Sequence, residues 1–324
     1  MIETEFILQI SSSILQQKTV EIDIKTQKED KKEVLDFLKE FNGSNWEIKE
    51  DKIIFRPGFL KQEKMRIKTG EIVNVAKILL LIGPFFDQQI EVLIEGVTNK
   101  EEPLDALKIS FWVLYKHLKW TNPSGFNIEI QKRGFEPHGG GIAKITVKKA
   151  NKIPRIQLTE PEKTEKIRGL VISSRIGADF SFRMIKTIKK LSAYKNTKIM
   201  SVISGRADSG ISPGFACAIF AESKNSFFYS YKQGNSSISP EELAEGCFKE
   251  LEMSQKEEFL LDEKILPFLF FFASLSNSLC LIAVKNPNLL ILECLKKCLN
   301  IKYSITEEKQ IKIIKILGNK KIIY

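Results

Sequence analysis

The amino-acid sequence predicts an α+β fold with α/β-like repeats. Three repeated units of two helices and a four-stranded sheet form one large domain, and a smaller α+β domain is inserted before the third unit. Three observations predict this. Apolar residues switch between helical and strand spacing in one order, helix–strand–helix–strand–strand, over residues 4–56, 72–148 and 259–317. Two polar runs, "EPEKTEK" and "EMSQKEE", bracket a stretch with its own element pattern between the second and third units. The chain is 324 residues long and 43% hydrophobic, enough to bury a large core. Domain boundaries are therefore expected at 1–159 (units one and two), 160–257 (the insert) and 258–324 (unit three).

In the first unit, Phe6, Ile7, Ile10 and Ile14 mark a helix, and Val20, Ile22 and Ile24 alternate with polar neighbours as a half-buried strand. Val34, Leu35, Leu38 and Phe41 form the stripe of a second helix that stops at Gly43, and "NWEI" and "KIIF" follow as strands around a turn at Glu50-Asp51. The second unit has a helix over 73–81, a strand with Ile90, Val92 and Ile94 alternating, a helix opening after Pro103, and the strands "FNIEIQ" and "AKITVK". The third has a helix over 265–275, the strand "LCLIAV", a helix with Asn286 as its expected N-cap and Pro287 as its first residue, and the strands "IKYSI" and "IKIIKIL".

The insert opens on a strand, "IRGLVISSR". Asp179 is expected to cap a helix with Met184, Ile185, Ile188 and Leu191 inward. "TKIMSVIS", "GFACAIFAES" and "SFFYSY" read as strands, and a capping box of Ser239 and Glu242 opens a last helix.

Charge and composition narrow the function. The net charge is +10, from 50 basic and 40 acidic residues, which favours an acidic partner such as RNA or anionic lipid; dispersed lysine serving solubility explains it equally well. The five cysteines, at 217, 247, 280, 294 and 298, are scattered with no CxxC pair, and His117 and His138 are the only histidines. No zinc site and no other metal is expected, and the thiols fit a reducing compartment. "MIETEFILQI" sets acidic residues ahead of its apolar run, unlike a secretory signal. "ILPFLFFFASLSNSLCLIAV" has spanning length, but Ser274, Ser276, Asn277 and Ser278 interrupt it, so a buried helix and strand are expected and no membrane partner.

The stretch with most chemical promise is "RGFEPHGGGIAKI", residues 133–145. Gly139, Gly140 and Gly141 allow backbone N–H groups to converge on an anion, Arg133 offers a bidentate phosphate contact, and His138 a titrating one. A glycine-rich hairpin explains the same residues, and no Lys-Ser/Thr follows to make a nucleoside-triphosphate loop. In the insert, Arg183, Lys186, Lys189 and Lys190 lie opposite the apolar stripe and Arg206 sits in the loop "GRADSGISPG". These are candidate RNA contacts, or simply a solvated basic face.

"EGVTN" (95–99) with Pro103 and Asp105, then "RGFEPHGGG", then "SGISPGFACAIFAES" (209–223) occur in that order, and "IIFRPG" (53–58) adds a fourth segment. Together they resemble the RNA 3'-terminal phosphate cyclase family, and most closely its eukaryotic cyclase-like branch. The resemblance implies the fold just described. It also implies a nucleolar role in 18S pre-rRNA processing and early small-subunit assembly, with a large ribosome-assembly GTPase, pre-rRNA and components of the small-subunit processome as partners. Cyclases of the family attach AMP to a histidine near the start of the second helix of the third unit. Here that region reads "AVKNPNLLILECL", and Asn288 or a near neighbour stands in its place. The family's glycine-rich start of the first helix is replaced by "TEFILQISSS", a nucleotide-contacting Gln by Leu80, and an Asp-Gln pair by Asp262-Glu263. The resemblance therefore implies a non-catalytic protein without a cofactor. A pre-rRNA endonuclease using Arg206, Asp208 and Asp262 is the alternative, and an ATP-dependent cyclase a more distant one.

Overall fold

The computed structural model describes residues 4–24, 28–60, 63–100, 102–120, 125–150, 152–194, 196–257, 259–308 and 310–318. The first unit comprises α1 (Thr4–Gln16), β1 (Val20–Asp23), α2 (Lys28–Asn42), β2 (Asn45–Lys49) and β3 (Lys52–Arg56). The second comprises β4 (Lys64–Thr69), α3 (Ile72–Ile82), β5 (Ile90–Gly96), α4 (Leu104–His117), β6 (Phe126–Lys132) and β7 (Gly141–Val147). After β8 (Gln157–Leu158), the insert runs through β9 (Lys166–Ser174), α5 (Ala178–Leu191), β10 (Thr197–Ser204), β11 (Gly214–Glu222), β12 (Phe227–Gln233) and α6 (Pro240–Glu257). The third unit closes the chain with α7 (Leu266–Leu275), β13 (Cys280–Val284), α8 (Leu289–Leu299), β14 (Lys302–Glu308) and β15 (Ile311–Leu317).

The sheets repeat one topology. Their orders are β1-β3-β2, β4-β5-β7-β6 and β14-β15-β13-β8. In each, the strand that follows the unit's first helix (β1, β5, β13) pairs antiparallel with the unit's last strand, and the last with the one before it. In units two and three a strand from the preceding connection joins in parallel: β4 beside β5, and β8 beside β13. Among the described residues the first sheet has three strands, so the four-stranded expectation holds for units two and three. β8, inside the 1–159 segment, completes the sheet of unit three.

Burial explains which pattern each element carries. β4 reads exposed and half-buried alternately, as a strand with one wet face must. Every residue of α3 and α7 is buried; α7 is almost wholly apolar, and in α3 the buried Lys77 is paired with Glu102 at 2.8 Å. The helices thus form the centre and the sheets wrap it. An aromatic cluster joins α4 to α7: the Phe111 and Phe268 rings lie 5.2 Å apart, Trp120 and Phe272 5.1 Å, and Tyr115 and Trp120 4.7 Å. Tyr115 Oη donates to the Leu80 carbonyl at 2.6 Å, so the buried phenol is satisfied. Among the described residues no helix is long and apolar enough to cross a membrane.

The insert forms the sheet β10-β9-β11-β12. Every residue of β11 is buried, because the sheet is covered twice. Cys217, Ile219 and Ala221 face Met184, Ile188, Leu243, Cys247 and Leu251 of α5 and α6. Ala216, Ala218 and Phe220, with Phe227 and Tyr229, join the core of the large domain. A run buried on both faces needs no alternation, which is why "GFACAIFAE" is continuously small or apolar.

Three local expectations are corrected. Asn288, not Asn286, caps α8: its Oδ1 accepts from Leu290 N at 3.1 Å, and Pro287 lies before the helix. Gly177 occupies the N-cap position of α5, with Asp179 in the first turn, where a carboxylate meets the positive end of the helix dipole. Leu191, at the end of α5, is exposed.

Burial, reinforced by the Lys116 ammonium, pushes the His117 imidazole down to about 4 from an ordinary 6.5. The unfolded chain takes up that proton below pH 6.5 and the folded chain only near pH 4. This contribution to stability is therefore complete above pH 6.5 and lost as pH falls to 4, by up to about 3 kcal/mol. Urea melts across this range should show a shallower loss for His117→Phe than for the unaltered chain.

Candidate functional site

The three motif stretches, far apart in sequence, meet in space. β6 runs through a register shift between Ile130 and Lys132 and delivers Arg133 to the seam between unit two and the insert. There Arg133 pairs in parallel with Ser209. Its N–H donates to the Asp208 carbonyl at 2.9 Å, and its own carbonyl accepts from Gly210 N at 2.6 Å. His138 N donates to Ser212 Oγ at 3.1 Å. Thr98 N and Asn99 N both donate to the Gly134 carbonyl, at 2.9 and 3.0 Å, and Gly134 N returns a bond to Thr98 Oγ1 at 3.0 Å.

The glycines are used for backbone approach. A Cβ on Gly210 would lie 1.7 Å from the Gly139 carbonyl oxygen, and one on Gly134 2.4 Å from Gly141 N. Gly139 and Gly140 also adopt positive φ, +60° and +72°. "HGGG" is thus the inner half of a chain crossing, packed against Gly96 and Gly210.

The Arg133 guanidinium is committed inside the protein. It is 4% exposed. Its Nη1 donates to Asp105 Oδ2 at 2.8 Å and to Asn99 Oδ1 at 3.0 Å, and Nη2 reaches Asp105 Oδ1 at 3.4 Å. The bidentate acceptor that residue type suggests is supplied by Asp105, at the start of α4. The pairing of these two residues, and Ser212 as partner of the glycine loop, escaped the sequence reading; the one signal was that all three motifs occur together.

Of the remaining candidates, the His138 side chain is exposed beside the crossing, and Arg206 is exposed on the loop after β10. On α5, Lys186 and Lys190 are exposed. Arg183 forms a two-pronged bond with Glu241, Nε to Oε1 at 2.7 Å and Nη2 to Oε2 at 2.6 Å. The structure therefore separates the candidates into a seam (Arg133, Gly139, Gly140, Gly141, with His138 and Arg206 at its rim) and a distinct helix face (Arg183, Lys186, Lys190).

Asp262 is fully buried and structural. Its Oδ2 accepts from Tyr229 N at 3.2 Å, and its Oδ1 from Lys264 N and Nζ at 3.1 and 3.2 Å. Burial opposes the charge on Lys264, but Asp262 and Glu250 outweigh it and hold that ammonium above its usual pKa. Among the described residues no three His, Cys, Asp or Glu side chains gather as a metal site would need.

Asn288 lines a cavity of about 400 Å³ with Thr4, Glu5, Phe6 and Gln9 of α1 and Ile22 and Asp23 of β1. The charged residues of that lining are Glu5 and Asp23, two carboxylates.

The model of the RNA 3'-terminal phosphate cyclase family matches residues 11–314, and the chain belongs to that family. Within it, the chain is similar to proteins described as RNA 3'-terminal phosphate cyclase-like. The mouse protein is 28% identical over 227 residues, covering 64% of this chain and 60% of the relative. The human protein is 28% identical over 225 residues, 64% of this chain and 59% of the relative. An RNA 3'-terminal phosphate cyclase of Caldivirga maquilingensis is 27% identical over 183 residues, 53% of this chain and 50% of that protein. The matched segment thus spans about 60% of the mouse and human relatives.

Two substitutions test the seam. Asp105→Ala strands a buried guanidinium and should cost about 3 kcal/mol in urea unfolding, with Arg133→Met/Asp105→Leu recovering much of it. Gly210→Ala forces two backbones apart. Its expected signature is faster amide exchange in both 133–141 and 205–214, with the centre of the large domain unchanged.

Proposed function

We propose that this chain is a non-catalytic, cyclase-like ribosome biogenesis factor. It acts in 18S pre-rRNA processing and early small-subunit assembly in the nucleolus, bound to a large assembly GTPase and in contact with pre-rRNA and processome components. The observation that carries the non-catalytic reading is Asn288. Transfer of AMP to nitrogen needs an available lone pair, which a neutral imidazole offers and an amide does not. The side-chain oxygen of Asn288 is also occupied as the N-cap of α8. Glu5 and Asp23, the charged residues lining the cavity beside it, would repel a nucleotide's phosphates.

The glycine crossing supports the same reading. Its arginine is neutralised by Asp105 at 2.8 Å and its glycines meet backbone, so the residues that would suit a phosphate already have partners. The assembly role and the partners rest on the resemblance to the cyclase-like branch. The net charge of +10 is compatible with a crowded RNA particle.

Pure protein incubated with labelled ATP and a 3'-phosphorylated RNA, beside an active cyclase, should acquire no covalent nucleotide and yield no cyclic phosphate; Asn288→His should not restore either. Native purification should recover pre-rRNA together with an assembly GTPase. Nucleotide on the protein would overturn the non-catalytic reading, and the absence of both partners would overturn the assembly role.

A further inference from the structure

β6 and β10 both end their sheets, one in unit two and the other in the insert. Just beyond each strand they join through the parallel Arg133–Ser209 bridge. Phe126 and Asn127 precede Arg133, and Met200, Ser201 and Val202 precede Ser209. All five line one groove of about 670 Å³, so the two edges stand apart on the near side of the bridge. Ile109 and Trp112 of α4 and Leu170 of β9 complete its apolar lining. Trp112 is 41% exposed and Met200 58%, large apolar side chains presented beside a strand edge.

We propose that this groove binds an extended peptide segment of a partner protein, which adds as a strand along the edge of β10 and sets apolar side chains against Trp112, Ile109 and Met200, with acidic residues between them. A strand edge supplies a row of backbone donors and acceptors, and pockets beside it read alternate side chains. The two edges differ. Lys108 Nζ donates to the Ile128 carbonyl at 2.6 Å, so the edge of β6 is already guarded by a lysine.

The charge around the groove selects acidic residues. Lys108 lines it, Lys198 is exposed on β10, and the Lys116 ammonium lies 5.9 Å from the Trp112 ring centre. The nearby carboxylates are occupied, Asp105 by Arg133 and Glu222 by Arg168 and Lys166. Single-stranded nucleic acid fits less well. It favours successive exposed stacking rings, and here the second ring of the lining, Phe126, is buried, which leaves the Trp112 indole, with the Arg168 guanidinium 6.0 Å from its centre, as the exposed one. None of this depends on the proposed role in assembly.

The test is selection of a displayed library of random peptides, each about a dozen residues long, on the full chain, followed by anisotropy titrations of the enriched peptides. Alternating apolar and acidic sequences should be enriched. Their binding should weaken about tenfold or more in Met200→Glu and in Trp112→Ala, two surface changes whose folding is checked by thermal melts. N-methylation of alternate peptide amides should abolish binding, and oligouridylate should not compete. The proposal is overturned if no such peptide is enriched, if the variants bind as tightly, if N-methylation is without effect, or if the RNA displaces the peptide.

Discussion

Arg133, seated on Asp105 and Asn99, fixes how the inserted sheet sits on the second repeat. A guanidinium that is 4% exposed persists only with its hydrogen bonds met, so its burial dictates where the start of α4 and the 95–99 loop must lie. Its backbone is bonded to Asp208 and Gly210, so the same residue that organises unit two also fastens the insert. The close approach of Gly134 to Gly141, and of Gly139 to Gly210, follows from that one junction.

This arrangement uses the chemistry of an anion site for a different purpose. Glycines that free backbone N–H groups for a phosphate also free backbone for backbone, and here Gly210 and Gly139 meet each other. The arginine suited to a phosphate's oxygens meets a carboxylate's. What positive charge remains accessible is spread over surface lysines, including Lys186, Lys189 and Lys190 on α5. Charge of that kind acts at long range and is screened within about a nanometre at physiological salt. It raises the encounter rate with any polyanion without choosing where that polyanion would lie.

The repeat was legible because helix and strand periods are local properties, and each unit obeys both. The third unit shows this in "LCLIAV" and "IKIIKIL", which form the paired β13 and β15. The fourth strand of units two and three was not legible. β4 carries an ordinary strand pattern but lies outside the repeated order, and Gln157–Leu158 is too short to show a period. Asn286 was mistaken for the cap of α8 because proline in the first turn is a strong signal, and "NPN" offers two candidates. The site was half legible. Its segments were recognised together, but the partners of Arg133 depend on a contact across 28 residues of chain, which no spacing rule encodes.

The two-sided burial of the inserted sheet has a consequence for recognition. Its one face is closed by α5 and α6 and its other by the large domain. What the insert can offer a partner is therefore the outer faces of its helices, its loops and the end of its sheet. The helices carry dispersed charge, some of it already neutralised, as Arg183 is by Glu241. The loop after β10 is held by Arg133 and, through Ser209, by Arg175 Nε at 3.2 Å. The strand edge between these features, which pairs with no further strand among the described residues, combines backbone hydrogen-bonding groups with exposed apolar side chains, two kinds of specificity that a lysine-rich helix face lacks. The geometry of that edge is set by Arg133, which is bonded to Asp105 on one side and to the backbone of Asp208 and Gly210 on the other, where the loop after β10 meets the end of β6.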